Sequence, residues 1–155
     1  AASDVYKRQL FQKCYQANLH RDSVLYAGAE KTLAQCQAAG RRVGCVTNKP
    51  GAFTLPLLEA MGLSRYLDPI VSGDDLPKKK PDPLPLEHVA EQWGLPPAQC
   101  LLVGDSVSDF RAARACGMPV VLVSYGYSQG LDLFELGPDA VIDSLAKVLN
   151  IIDPA

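Results

Sequence analysis

The feature that most limits what this chain can fold into is a repeated alternation of two periodicities. Amphipathic stretches that close on a glycine give way, again and again, to short runs of β-branched and other apolar residues. The first such unit lies between Ala27 and Asn48: Leu33, Ala34, Cys36 and Ala38 follow a helical spacing, Gly40 ends it, and Val43, Gly44, Cys45 and Val46 come next. A helical period that stops at glycine and passes into β-rich residues reads as helix, C-cap and strand. The pattern recurs as a helix from about Ala52 to Met61 stopping at Gly62, a short strand at Ile70 and Val71, and a helix from about Leu84 to Trp93 stopping at Gly94. Cys100 to Val103 then read as strand, Ser108 to Cys116 as helix with Gly117 as its cap, Val120 to Val123 and Ala140 to Ile142 as strands, and Ser144 to Asn150 as a last helix. This alternation predicts an α/β domain whose parallel sheet is covered by helices on both faces. Ala1 to Leu25 stand apart from it, with a helical segment around Leu10 to Leu19 and no strand.

Composition bounds the class of function. With 155 residues, 48% of them hydrophobic, the chain is long enough for one core and too short for two comfortable domains. A net charge of −2, with Lys78 to Lys80 as the sole basic run, gives no electrostatic footprint for nucleic acid or an anionic membrane, so neither is expected as a partner. Cys14, Cys36, Cys45, Cys100 and Cys116 are scattered without a C-x-x-C pair, which suggests neither a zinc site nor a disulfide framework and fits a reducing, cytoplasmic setting. No apolar run approaches the roughly 20 residues of a membrane span, and the first residues lack the order of a signal peptide.

Three polar sites fall at the carboxyl ends of the expected strands, where open α/β sheets bind ligands. Thr47 and Asn48 follow the run Val43 to Val46; a hydroxyl and backbone N–H there can hold a phosphoryl oxygen, or Asn48 can simply start a turn ahead of Pro50. Lys80, followed by Pro81, lies in the loop after Ile70 and Val71, where a compact positive charge can neutralise phosphate and carboxylate alike, although a lysine run is also an ordinary solvated face. Pro81 fixes the backbone beside Lys80 and favours it over Lys78 and Lys79 as the directed lysine. The third site is Gly104-Asp105-Ser106-Val107-Ser108-Asp109, two carboxylates four residues apart at a strand-to-helix junction. Ser106 or Ser108 as N-cap, with Asp109 in the first turn, accounts for part of it. Asp105 remains, a charge ending a buried strand, costly unless paired or bound to a metal. Oxygen ligands of this kind suit a hard cation such as Mg2+.

Threonine, then lysine, then an aspartate pair on successive strand ends resembles the haloacid dehalogenase-like phosphatases: Thr47 with Asn48 looks like their second motif, Lys80 the third, and Gly104 to Asp109 the fourth. From about Leu25 to Ile152 the chain is similar, within that superfamily, to the bacterial phosphoglycolate phosphatases. The stretches that carry the likeness are Leu25-Tyr26-Ala27-Gly28, Thr47-Asn48-Lys49-Pro50, Lys80-Pro81-Asp82-Pro83-Leu84-Pro85-Leu86, Tyr125-Gly126-Tyr127 and Pro138-Asp139-Ala140-Val141-Ile142-Asp143-Ser144. The resemblance implies a three-layer αβα Rossmann-like sheet of parallel strands and a small phosphorylated metabolite, 2-phosphoglycolate, as substrate. It also implies Mg2+ as cofactor and an aspartyl-phosphate intermediate. Thr47 and Asn48 would then hold the phosphoryl group, and Lys80 would orient the nucleophile and offset charge. Asp105 would ligate Mg2+, and Asp109 would support the metal directly or through water.

The chain departs from the family at the first motif. Asp4 and Asp22 are the only aspartates before the Thr47 strand, and neither follows an apolar run or precedes an Asp-Gly turn. The expectation is a fragment: residues 1–25 the remnant of a helical cap, with 1–9 resembling nothing in the family, and residues 26–155 a core lacking its first strand. Loss of that strand would leave two facing sheet edges unpaired, and the chain alone would bind Mg2+ poorly and not turn over. Rival readings are another capped phosphatase or phosphomutase acting on a sugar phosphate or pyrophosphate, a signalling receiver domain, and a non-catalytic binding domain. The receiver is disfavoured by chain order, since its acidic pair comes first and here it comes last.

Overall fold

The computed structural model describes residues 8–11, 28–124 and 132–152, the first of these segments by its backbone alone. Six strands, β1 (Arg8–Phe11), β2 (Arg42–Val46), β3 (Ile70–Val71), β4 (Cys100–Gly104), β5 (Val120–Val123) and β6 (Ala140–Ile142), form one sheet in the order β3-β2-β1-β4-β5-β6. Every pairing is parallel. Helices α1 (Ala29–Ala38), α2 (Gly51–Ala60), α3 (Leu84–Gln92), α4 (Val107–Cys116) and α5 (Val148–Ile152) lie between and after the strands. The order reverses direction between β1 and β4, and at such a switch point the carboxyl ends of the strands open a crevice for ligands.

The period-2 pattern of each strand sorts its side chains between two cores. Leu101, Val103, Val121 and Val123 pack on one side with Leu33 and Cys36 of α1, Leu58 of α2 and Val148 of α5. Cys100, Leu102, Val120 and Leu122 pack on the other side with Leu86 and Val89 of α3 and Ala112 and Ala113 of α4. Strand β4 is buried along its whole length, because both faces carry helices. The three-layer α/β reading therefore holds, and each helix expected after Gly28 is present within a few residues. The last is the exception in form: a 3₁₀ turn at Leu145–Lys147 leads into α5, where one continuous helix over Ser144 to Asn150 was expected.

One expectation is corrected. The sequence predicts no strand in the first 25 residues and two unpaired edges at the centre of the sheet; instead β1 fills the gap. Leu10 pairs with Gly44 on one side and Leu102 on the other, and Phe11 with Cys45 and Val103. The physical reason is the demand of the neighbours. Strands β2 and β4 each turn a row of backbone donors and acceptors toward the gap inside an apolar layer, where an unmade hydrogen bond is expensive, and any extended segment that satisfies both rows is favoured. Leu10 and Phe11, read from the sequence as the start of a helical segment, belong to this strand. Residues 12–25 of the expected cap remnant, and Tyr125-Gly126-Tyr127, lie outside the described residues. Among the described residues no helix is long and apolar enough to cross a membrane.

Leu102 is fully buried, and its backbone lies between β1 and β5. Replacing it with alanine is expected to cost about 3 kcal/mol, the middle of the range for emptying a packed leucine site, read as a lowered urea midpoint at unchanged slope.

Candidate active site

The three polar sites meet along the carboxyl edge, and the contacts that join them can be followed atom by atom. Thr47 continues β2 by one residue, its N–H donating to the Val71 carbonyl at 3.0 Å. Its hydroxyl accepts the Lys49 N–H at 3.1 Å, so the loop doubles back at once. Asn48 reaches across to the next loop: its Nδ2 donates to the Lys80 carbonyl at 2.8 Å and its Oδ1 accepts the Lys80 N–H at 3.1 Å. Both ends of that amide are spent on the main chain of one residue, which makes the Asn48 side chain a clamp on Lys80. Gly73 is required for this closeness, since a Cβ there would sit 2.0 Å from the Asn48 carbonyl oxygen.

Held in this way, the Lys80 side chain runs inward and is 2% exposed. Its ammonium donates to the Val46 carbonyl at 2.9 Å and to Asp109 Oδ1 at 2.8 Å. Lys78 and Lys79 stay exposed, and Lys78 sits 3.8 Å from Asp82 on the surface. The lysine beside the proline is thus the directed one.

Asp109 answers both readings of the hexapeptide. Ser106 is the N-cap of α4, its hydroxyl accepting the Asp109 N–H, and the Asp109 carboxylate completes a capping box. Oδ2 takes the Asp105 N–H at 2.9 Å, the Ser106 N–H at 3.1 Å and the Ser106 hydroxyl at 2.9 Å, while Oδ1 takes Lys80. A buried ion pair is tolerable only when the remaining lone pairs and protons are also satisfied, and this carboxylate meets that condition. Gly104 makes room for it: a Cβ would lie 2.6 Å from the Asp109 Cβ and Oδ2. Sequence reasoning missed Gly73 and Gly104 as steric requirements; a glycine directly before the strand-end aspartate was the available signal.

Asp105, the last of the set, is 2% exposed at the end of β4. Among the described residues no three His, Cys, Asp or Glu side chains stand close enough together to share a metal ion. Mg2+ keeps several waters and binds through one or two carboxylates together with substrate phosphate oxygens, so a single strand-end carboxylate is chemistry that suits it. Asp105 is the carboxylate that could hold such an ion, since both Asp109 oxygens are engaged in holding Lys80 and the turn. Two cavities of about 520 Å³ each lie elsewhere among the described residues, one at the amino end of β2 around Arg42 and Trp93 and one beside α1 around Lys31 and Ala34. They touch none of the rim residues, and the chemistry of the rim outweighs their size.

Removing the Asp109 carboxylate leaves an ammonium buried without its counter-charge, so Asp109→Ala is expected to cost about 3–5 kcal/mol. Adding Lys80→Met to it should recover part of the loss, a non-additivity visible in a double-mutant cycle by chemical denaturation. Gly104→Ala is expected to lower the thermal midpoint by displacing Asp109, with no such effect from an alanine at exposed Glu91.

Comparison with known proteins bears on what this rim can do. A sequence model of the family described as haloacid dehalogenase-like hydrolase matches residues 2–123. The phosphoglycolate phosphatase of Nitrosococcus oceani is 44% identical over 154 residues, covering 98% of this chain and 68% of that protein. A phosphoglycolate phosphatase predicted in Haemophilus somnus, known from its crystal structure, superposes with a TM-score of 0.78 at 35% identity over 80% of this chain and 55% of the other. CbbY from Rhodobacter sphaeroides, crystallised in complex with phosphate, gives a TM-score of 0.71 at 25% identity over 81% of this chain and 57% of its own. The chain therefore spans between about half and two-thirds of the length of the proteins it resembles.

Proposed function

The chain belongs to the haloacid dehalogenase-like hydrolase family, and from that premise we propose that its carboxyl-edge rim is the phosphoryl-transfer site of a Mg2+-dependent phosphatase that hydrolyses 2-phosphoglycolate to glycolate and phosphate. The observation that carries the reading is the buried Lys80 ammonium, fixed 2.8 Å from Asp109 and 2.9 Å from the Val46 carbonyl. Such placement gives a positive charge at the strand edge that needs no reorganisation when a phosphoryl group arrives.

Each residue has a distinct task. The Thr47 hydroxyl and the turn it closes hold a phosphoryl oxygen. Lys80 offsets negative charge on the transferring group and orients the attacking carboxylate. Asp109 positions Lys80 and, through the Asp105 N–H, the strand end itself. Asp105 would hold Mg2+, which supplies Lewis-acid stabilisation of the phosphoryl oxygens when bound. Asn48 acts through the Lys80 backbone. In the resembling enzymes the nucleophile is an aspartate at the end of the central strand; here the residues that follow β1 in sequence are Gln12, Lys13 and Cys14. On this reading those three residues do not supply the attacking carboxylate, and the turnover we propose is that of the whole protein, a cytosolic enzyme. The names of the phosphoglycolate phosphatases that match the chain support the choice of 2-phosphoglycolate, and the phosphate complex of a similarly folded protein supports the anion.

In the whole protein, Asp105→Asn is expected to lower kcat/KM for 2-phosphoglycolate by about 10²-fold or more, and chelation of Mg2+ to abolish phosphate release. 2-Phosphoglycolate should be preferred over sugar phosphates in a release assay; the opposite order would move the protein to a sugar-phosphate phosphatase of the same superfamily. Phosphate release by the 155-residue chain alone would contradict the placement of the nucleophile.

A further inference from the structure

One buried charge at this edge has no part in the proposed mechanism. The Lys49 Nζ is out of contact with water and has no hydrogen-bond partner among the described residues. Its backbone is held tightly: the N–H donates to the Thr47 hydroxyl at 3.1 Å, and the carbonyl accepts the Gly73 N–H at 2.8 Å and the Thr54 hydroxyl at 3.1 Å. The two acidic residues that follow Gly73 in the loop after β3 accept from main chain, Asp74 from the Gly51 N–H at 2.9 Å and Asp75 from the Ser72 N–H at 2.7 Å. A lysine ordinarily extends its stem until the ammonium reaches water. An ammonium withheld from water without an acceptor is strongly unfavourable, and such a group is retained where an acceptor arrives from outside.

Resting on the phosphatase reading, we propose that Lys49 is the receptor for a second anionic group on the substrate, a carboxylate close to the transferred phosphoryl. Lys49 follows Thr47 by two residues, so their Cα atoms are at most about 7 Å apart. An anion held by the Thr47 hydroxyl is within range of a lysine side chain starting there. The phosphoryl group already has its own buried cation in Lys80, on a different loop. Two separate ammonium groups on two loops match a compact molecule with two anionic groups, a carboxylate at one end and a phosphate ester at the other. Lys49 is thus a specificity residue: it selects carboxylate-bearing phosphate esters against esters that end in a methyl group.

The test is phosphate release by the whole protein, with MgCl2 present, comparing kcat/KM for 2-phosphoglycolate with kcat/KM for ethyl phosphate, which has a methyl in place of the carboxylate. The unmodified protein should favour 2-phosphoglycolate by about tenfold or more, the worth of a charge-assisted hydrogen bond. Lys49→Met should bring that ratio close to one, and Lys49→Arg should retain most of it. Free of ligand, Lys49→Met should melt at a higher temperature than the unmodified protein, since it relieves a buried unpartnered charge. A ratio unchanged in Lys49→Met, or a lower melting temperature without ligand, overturns the proposal while leaving the phosphoryl site intact. Release from neither ester by the unmodified protein overturns the phosphoryl-site reading, and the role of Lys49 with it.

Discussion

The ion pair between Lys80 and Asp109 is the contact on which the rest of the edge depends. Both side chains are fully withdrawn from solvent, 2.8 Å apart, and a pair so placed has lost the hydration of two ions. It survives because every adjacent group contributes: the Val46 carbonyl takes another ammonium proton, and Ser106 with the Asp105 amide saturates the far carboxylate oxygen. The same contacts that make the pair tolerable fix the ends of β2 and β4 and the start of α4 relative to one another. Stability and site geometry are in this sense one set of interactions, and no group can be removed from the set without leaving a buried charge or a buried amide unsatisfied.

Much of this was legible in the sequence, because strong local signals agreed with the global fold. The strands β2, β4 and β5 read as dense apolar runs, and the helices between them carried both a period and a stop, so the layers followed. Thr47, Lys80, Asp105 and Asp109 were singled out from their places at strand ends or in the loop just after one, and the structure brings them to one edge; the preference for Lys80 over its two neighbours came from a single proline. What could not be read was reach. Asn48 has the composition of a turn residue, and its job of clamping the Lys80 peptide is visible only once two loops, thirty-two residues apart, lie side by side. Gly73 and Gly104 look like any loop glycine until the atom that would collide with a Cβ is known. The strand at Arg8–Phe11 was missed for a related reason: its four residues carry little β signal, and the demand for a strand comes from the two it joins.

Two effects compete at Asp109, and magnitudes decide between them. As a helix cap on a surface it would contribute about 1 kcal/mol. As the counter-ion of a lysine with no exposed side-chain area it prevents a loss several times larger. The capping box is real, yet its main consequence is orientation: by taking the Asp105 and Ser106 amides, Oδ2 turns Oδ1 toward Lys80. The aspartate that opens α4 thus serves the helix locally and the site globally, and the second role sets its energetic weight.

Among the described residues, the hydrogen bonds traced through the rim run between Val46 and Asp109. Strand β1 contributes backbone pairing at the centre of the sheet, and none of the hydrogen bonds to Thr47, Asn48, Lys80 or Asp109 described above involves it. On the proposed reading, the charges that would meet a phosphoryl group are carried by the loop after β3 and by the β4–α4 turn, one on each side of the central strand. An attacking carboxylate at the end of that strand would then enter a field arranged by Lys80 and Asp105 before it arrives, and such preorganised charge needs no rearrangement at the moment of reaction. What β1 supplies between them is backbone: its pairing with β2 and β4 sets how far apart the two sides of the rim stand.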